Sequence, residues 1–135
     1  MIAPTGFFAD YGCHVRIRGH AQALQARGHQ VRIVTYPGGR EVPGLATVRP
    51  PGWRRDREMP VGSSWRKLSL DLVLALTVWQ TAQRWQPHLI HAYLHEGALL
   101  GALLPLRPRR PLVFDFQGSL VGEMLDHRFL APQSP

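Results

Sequence analysis

The sequence predicts an α/β fold in which a Rossmann-like parallel sheet carries helices on both faces. Short apolar segments suited to strands alternate with longer helical segments along the whole chain. The segment Arg27-Gly28-His29 precedes a β-branched run, which is typical of a helix that ends at a glycine and continues into a buried strand. A length of 135 residues suffices for one domain with a buried core.

The first half of the chain predicts a β-α-β unit and one further strand. Met1 to Pro4 is a short apolar strand, and a glycine-containing loop leads from it into a helix from about His14 to Arg27. Strands follow at Val31 to Thr35 and at about Ala46 to Arg49. The apolar residues of the helix share one face at helical spacing: Ile17, Ala21 and Leu24.

The second half adds two helices and two strands. A long helix is predicted from Trp65 to about Gln86, followed by a strand from Leu89 to Tyr93, a small-residue helix from Gly97 to Leu104 and a strand from Leu112 to Phe116. Apolar residues cover more than one stripe of the long helix, which predicts burial over much of its circumference. They include Leu68, Leu72, Ala75, Leu76, Trp79 and Ala82.

Composition limits the setting in which the chain works. The formal net charge is +7, and Lys67 is the only cation besides the arginines, whose planar fork favours phosphates and carboxylates. A single cysteine, Cys13, cannot form an internal disulfide, which fits a reducing compartment. The longest apolar run, Leu68 to Trp79, is too short for a bilayer span of about 20 residues. We therefore expect a cytoplasmic protein, with peripheral contact at the inner face of a membrane.

Ligands of open parallel sheets bind where the strands end at their carboxyl termini. The loops expected to meet there are Thr5 to His14, Tyr93 to Glu96 and Gln117 to Glu123. The predicted substrate-binding residues are Gly6, Gly12, His14, Tyr93, His95, Gln117, Gly118 and Ser119. No catalytic residue, metal ligand or cofactor is predicted.

The chemistry of these candidates suits a sugar or a phosphate. Gly12 precedes a helix whose N-terminal N–H groups favour an anion, although it could equally serve a tight turn, and the loop lacks G-x-G-x-x-G spacing. His95, placed in a loop, could reach a substrate hydroxyl, and Gln117 can donate and accept hydrogen bonds at once. His91 and His95 are four residues apart, which is about 13 Å along a strand, so a shared metal ion is not expected.

Several segments, in this order, resemble the N-terminal half of a family 4 retaining glycosyltransferase with the GT-B fold. They are a glycine loop followed by His14-Val15, the joint Arg27-Gly28-His29-x-Val31, Pro87-His88-Leu89-Ile90-His91-Ala92, and Arg110-Pro111-Leu112-Val113-Phe114-Asp115-Phe116-Gln117-Gly118. In that family two Rossmann-like domains face each other; the N-terminal one mainly holds the acceptor and the C-terminal one binds the nucleotide sugar.

The resemblance implies that residues 1–135 are the acceptor-binding half of such an enzyme, a domain truncated at both ends and without its donor-binding partner. Its ligands would be a sugar or lipid-linked acceptor and, mainly through the other domain, a nucleotide sugar. Such a half is not expected to be active alone. The chain departs from the family at His88, where Asp is frequent, and at Tyr93 and Gln117, where His is frequent.

Other functions predict different residues. A non-catalytic nucleotide- or phosphate-binding Rossmann module predicts an acidic residue after the second strand, where Tyr36-Pro37-Gly38 stands. A nucleic-acid-binding domain predicts cations clustered on one face, whereas these are scattered along the chain, so no nucleic acid is expected. The arginines from Arg49 to Arg66, with Trp53 and Trp65, suit either an anionic lipid surface or a solvated loop.

Overall fold

A computed structural model describes residues 1–8, 12–51 and 65–116, with the backbone alone for residues 65–68. The sheet and helix assignments broadly follow the sequence pattern. In chain order the elements are β1 (Ile2–Ala3), α1 (Gly12–Ala26), β2 (Arg32–Thr35), β3 (Ala46–Val48), α2 (Trp65–Trp85), β4 (Ile90–Tyr93), α3 (Leu94–Leu103) and β5 (Leu112–Asp115).

The described strands form one parallel sheet in the order β3-β2-β1-β4-β5. Ile2 in the central strand pairs with Val34 on one side and with Ala92 on the other. All strands run in the same direction, so their carboxyl ends lie at one end of the sheet and their amino ends at the other. The predicted Rossmann-like α/β fold is confirmed.

Helices cover both faces of this sheet. On one face, Ile17 and Ala21 of α1 join a buried cluster with Ile33 and Tyr93. On the opposite face, Leu74 and Val78 of α2 pack in a second cluster, against which Leu100 of α3 also packs. The alternation of side chains along each strand feeds both clusters, which is why these strands are apolar on both sides.

The helix stop predicted at Gly28 is confirmed. Gly28 has a φ of 83°, in the left-handed region that glycine adopts without steric cost. Its N–H donates to the carbonyl of Gln25 (2.9 Å), and the N–H of His29 donates to the carbonyl of Leu24 (3.1 Å). These two bonds form a Schellman motif, which satisfies carbonyls that the helix end would otherwise leave unpaired.

The prediction that α2 is buried around much of its circumference is wrong. Leu72, Leu76 and Trp79 are 64%, 51% and 41% exposed. The helix covers the sheet with a single stripe, because a sheet surface contacts only one side of a helix that lies on it. That buried stripe consists of Leu70, Leu74, Val78 and Ala82.

The predicted loop from Tyr93 to Glu96 does not exist. Helix α3 begins at Leu94, directly after β4, rather than at Gly97. Leu94 makes this turn with a φ of 59°, a conformation that leucine rarely adopts. His95 consequently lies in the first turn of α3 and not in a loop. No residue there signals a turn, so the sequence gives no reason to expect it.

No helix in the described ranges combines the length and the apolar character that crossing a bilayer requires.

Candidate functional site

The loop after β1 is fixed to the carboxyl end of β2. The carbonyl of Thr5 accepts hydrogen bonds from the N–H of Tyr36 (3.2 Å) and from the hydroxyl of Thr35. The Thr5 hydroxyl and the His14 Nε2 atom share a hydrogen bond of 2.6 Å. The start of the loop is thereby tied both to the neighbouring strand and to the first turn of α1.

A second set of bonds fixes the loop further along. Phe8 and Arg40 exchange backbone hydrogen bonds of 3.2 and 3.1 Å. The guanidinium of Arg49 donates to the carbonyls of Phe7 and Arg40 and forms an ion pair of 2.5 Å with Glu41. Gly39, with a φ of 96°, lies so close to the Phe7 carbonyl that a Cβ atom would overlap it. Residues 7 and 8 of the loop are therefore held by the segment that follows β2.

Most N–H groups in residues 5–8 are used inside the protein. Thr5 donates to the Ala3 carbonyl, Phe7 to the Thr5 carbonyl, and Phe8 to Arg40. Of these four residues, Gly6 is the one whose N–H has no partner in the described part of the chain. It is consequently the N–H group of this segment that a ligand could take without breaking an existing bond.

The side chain of His14 is buried and contacts the residues at the start of the loop. Only 1% of its surface is exposed, and its ring lies 5.8 Å from the rings of both Phe7 and Phe8. Together with its bond to Thr5, this packing fixes the direction in which the loop leaves the sheet. The described contacts of His14 are therefore with the loop and its aromatic residues.

Gly12 is the first residue of α1 and is exposed, with no atom near the place where a Cβ would stand. It is therefore not required by packing. The neighbouring Cys13 is a free thiol, and burial raises its pKa, although backbone hydrogen bonds from His14 and from Cys13 itself oppose that shift. A raised pKa keeps the thiol protonated at neutral pH and makes it a poor nucleophile.

Aromatic side chains of β4 pack against α1. The Tyr93 side chain is completely buried, and its hydroxyl lies 3.0 Å from His20 Nδ1. The His91 ring stacks on Tyr93 at 4.6 Å and on His20 at 5.5 Å. Burial, followed by the nearby His20, lowers the pKa of His91, whereas burial raises that of Tyr93. Both groups are therefore neutral at pH 7.

Arg16 and Asp115 join α1 to the end of β5. The guanidinium donates from Nε and Nη2 to the two carboxylate oxygens at 2.8 and 2.7 Å. The Asp115 side chain is 7% exposed and that of Arg16 is 53% exposed. A two-pronged pair of this kind fixes orientation as well as distance. It holds α1 beside the strand that leads to Gln117.

On the other face, His95 belongs to an aromatic cluster at the same end of the sheet. Its ring lies 5.6 Å from Phe114 and 5.7 Å from Phe116, and all three pairs in the cluster meet edge to face. Phe116 is 58% exposed and Phe114 37% exposed. This cluster gives the carboxyl end of the sheet an accessible apolar surface beside an imidazole.

The predicted site residues are thus only partly brought together. Gly6, Gly12 and His14 share one loop and helix start, and His95 stands at the start of α3 at the same end of the sheet. Tyr93 is at that end too, but its side chain is turned into the core. Gln117, Gly118 and Ser119 lie outside the described residues.

Sequence reasoning missed Arg16, Arg49 and Asp115, which organise this end of the molecule. Asp115 had one available signal, because a carboxylate at the end of an apolar strand is costly unless it is paired. Its partner is 99 positions away along the chain, and a single sequence does not reveal such a pairing.

Metal centres and cavities away from this end are the other kinds of site that a ligand could occupy. Within the described ranges, no three side chains of His, Cys, Asp or Glu gather as metal ligands would. A cavity of about 580 Å³ opens at the opposite, amino end of the sheet and is lined by His29, Arg32, Trp85 and His88 among others.

Comparison with known proteins places the chain in a family. The family model described as a glycosyl transferase 4-like domain matches residues 11–134. No curated protein and no solved structure matches the chain. The match begins just before α1 and includes the β4-α3-β5 half, and the parallel sheet agrees with it. The chain therefore belongs to the glycosyl transferase 4-like domain family, as the N-terminal domain of a family 4 glycosyltransferase.

Proposed function

We propose that this domain binds the acceptor in an enzyme of the GT-B type, which transfers a sugar from a nucleotide-sugar donor with retention of configuration. The observation that carries the proposal is the segment 5–8 at the carboxyl end of the sheet, which is held by bonds to the residues after β2 and leaves the Gly6 N–H free for a ligand. A second domain of the enzyme would hold the nucleotide sugar. The acceptor is a sugar or a lipid-linked sugar.

The site supports positioning rather than acid-base chemistry. His14 and Tyr93 are buried and engaged with protein groups, so neither is free to exchange a proton with a substrate. His95 is half-buried in a cluster that can pack against the apolar face of an acceptor while its imidazole contacts a hydroxyl. Holding two reactants in a fixed geometry can supply much of the rate enhancement of a transfer reaction.

A non-catalytic nucleotide-binding module is the less suitable alternative. Such a module places a carboxylate after β2 to bind the ribose hydroxyls. Here Tyr36 occupies that position, is buried, and donates its hydroxyl to Asp71 of α2. The Asp71 carboxylate, which lies near this strand end, is therefore already a hydrogen-bond acceptor for the protein.

The proposal is tested by reconstituting the enzyme. We expect the chain alone to show no transfer, and transfer to appear when the downstream donor-binding domain is expressed with it. The assay would follow a radiolabelled sugar from a panel of nucleotide sugars into product, and nuclear magnetic resonance would give the anomeric configuration of that product. An inverted product would contradict the retaining mechanism.

A pair of substitutions tests the location of the site. Gly6→Pro removes the free N–H, while Gly12→Ala leaves all N–H groups in place and adds a Cβ where there is room. We expect the first to reduce kcat/KM by about tenfold or more, the usual effect of one lost hydrogen bond to a charged group, and the second to change it little. Equal effects of both would argue against a ligand at Gly6.

A further inference from the structure

The two ends of the sheet differ in charge. Every carboxylate that the structure describes lies at or near the carboxyl end: Glu41, Asp71, Glu96 and Asp115. There Glu41 is paired with Arg49, and Asp115 with Arg16. Two of these four carboxylates are thus compensated by ion pairs within the domain.

The amino end of the sheet carries arginines instead, each next to an element boundary at that end. These amino-end arginines are Arg27, Arg32, Arg84, Arg107, Arg109 and Arg110. Within the described ranges none of them forms an ion pair with a carboxylate. Arg32 lies over the Trp85 ring at 5.1 Å, and Arg110 donates to Gln86 at 3.1 Å, so these contacts leave the positive charge uncompensated.

Helix stability explains little of this cluster. Cations near a helix C-terminus interact favourably with the helix dipole. Of the described helices only α2 has a basic residue in its last turn, and that residue is Arg84. Arg107 and Arg109 are exposed and lie in the proline-containing connection between α3 and β5, where no helix end requires them.

Apolar side chains are exposed among these arginines. Leu103 at the end of α3 is 69% exposed, Leu89 before β4 is 47% exposed, and Leu112 at the start of β5 is 38% exposed. Leu99, one turn before Leu103, is 60% exposed. Bilayer interfaces bind surfaces of this mixed kind, because arginines meet lipid phosphates while leucines enter the boundary with the acyl chains. The phosphates of a nucleic acid would also bind the arginines, but a nucleic acid has no acyl chains for the exposed leucines to enter.

We propose that the amino end of the sheet is a docking surface for a bilayer containing anionic phospholipids. This proposal gives a location to the peripheral membrane contact expected from the sequence. It places that contact at the amino end of the sheet and not at the arginine segment Arg49 to Arg66, of which residues 52–64 lie outside the described ranges. The docking surface is defined by the amino-end arginines together with Leu89 and Leu103.

The test measures sedimentation of the complete chain with vesicles, in the absence of any sugar donor or acceptor. We expect binding to phosphatidylcholine vesicles that contain about one third phosphatidylglycerol, and little binding to phosphatidylcholine alone. The double variant Arg107→Gln/Arg109→Gln should bind about 30-fold more weakly, since each arginine near an anionic surface contributes about 1 kcal/mol. Raising the salt concentration should weaken binding of the parent chain.

A matched control removes the same charge elsewhere. The double variant Arg18→Gln/Arg40→Gln alters exposed arginines away from the amino end and should bind nearly as well as the parent. Leu103→Gln should weaken vesicle binding while leaving binding to a polyanion such as heparin unchanged. Circular dichroism would verify that each variant is folded.

Three results would overturn the proposal: equal losses in the two double variants, no effect of Leu103→Gln, or equal binding to neutral vesicles. The first would mean that net charge alone acts, and the second would indicate a nucleic acid or an acidic protein as the partner. Failure of the proposed glycosyl transfer would leave these measurements unaffected, because they involve neither sugar nor catalysis.

Discussion

At the scale of single residues, backbone conformation sets how the loop of the candidate site is held. Gly39 and Gly44 both have positive φ, at 96° and 80°, but only Gly39 lies against the Phe7 carbonyl, while nothing surrounds the Cβ position of Gly44. The two glycines therefore separate the cost of backbone strain from the cost of a close approach.

Gly44→Ala should lower the free energy of unfolding by about 1–2 kcal/mol, the usual cost of a left-handed conformation for a residue with a Cβ. Gly39→Ala should cost more than about 3 kcal/mol, because the new methyl group also displaces the loop. Urea denaturation would measure both values. Equal losses would mean that the loop moves away without cost.

The stacked histidine on β4 gives the protein a pH dependence. Because burial lowers the pKa of His91 below its ordinary value of 6.5, the folded protein prefers the neutral ring and the unfolded chain takes up a proton more readily. The contribution of His91 to stability should therefore be full above about pH 6.5 and should fall as the pH drops below it. Denaturation at pH 7.5 and pH 5.5 would show the change.

His91→Asn should reduce that acid-dependent loss, and His29→Asn, at an exposed turn position, should leave it as it is. The titratable or charged groups that act on His91 are His20, the Met1 amino group, Asp115 and Arg16. Burial also lowers the pKa of the Met1 amino group, to about 5, so that group adds to the acid-dependent loss. An unaltered pH profile in the His91 variant would assign the effect to one of those neighbours.

At the scale of elements, α2 shows that the hydrophobicity of a helix does not reveal how many of its sides are buried. Its apolar residues suggest burial all round, but the structure buries one stripe and exposes Leu72, Leu76 and Trp79. Periodicity predicts that a helix exists and where it ends, whereas the number of neighbours it has depends on tertiary contacts. The same applies to α3. Its start at Leu94 depends on a positive φ at that residue, and the sequence pattern does not predict a positive φ at a leucine.

Two leucines of α2 test this assignment. Leu74→Ala should lower the free energy of unfolding by about 2–5 kcal/mol, because Leu74 is fully buried against the sheet. Leu76→Ala, two positions later and 51% exposed, should change it by no more than about 0.5 kcal/mol. Similar losses for both would restore the interpretation that α2 is buried on two sides.

At the scale of the whole molecule, the sequence predicts the parallel sheet and nearly all of its strands and helices. Gly28 illustrates why: its helix stop is a local interaction, so the residues that cause it are adjacent in the chain. The candidate site was less predictable, because the Arg16 to Asp115 pair and the hold of Arg49 on the loop join distant segments. Such contacts form only once the strands have taken their positions in the sheet.

The orientation of a docked domain can be measured with one exposed cysteine at each end of the sheet, placed in a Cys13→Ser background. Val15, in the first turn of α1 at the carboxyl end, is 57% exposed, and Ala102 is an exposed position near the amino end. A dye on Val15→Cys should escape quenching by lipids with brominated acyl chains, whereas a dye on Ala102→Cys should be quenched. The strands between the two ends span about 13 Å at 3.3 Å per residue. Quenching at both positions would mean that the domain lies flat.

The separation of charge between the two ends also bears on how the acceptor arrives. If both proposals hold, a domain docked to lipid by its amino-end arginines would turn the loop after β1, where the acceptor is proposed to bind, toward water. The acceptor hydroxyl would then approach from solution. This orientation suits a water-soluble acceptor better than an acceptor whose lipid is embedded among acyl chains. The product would leave on the same aqueous side, next to the membrane but outside it.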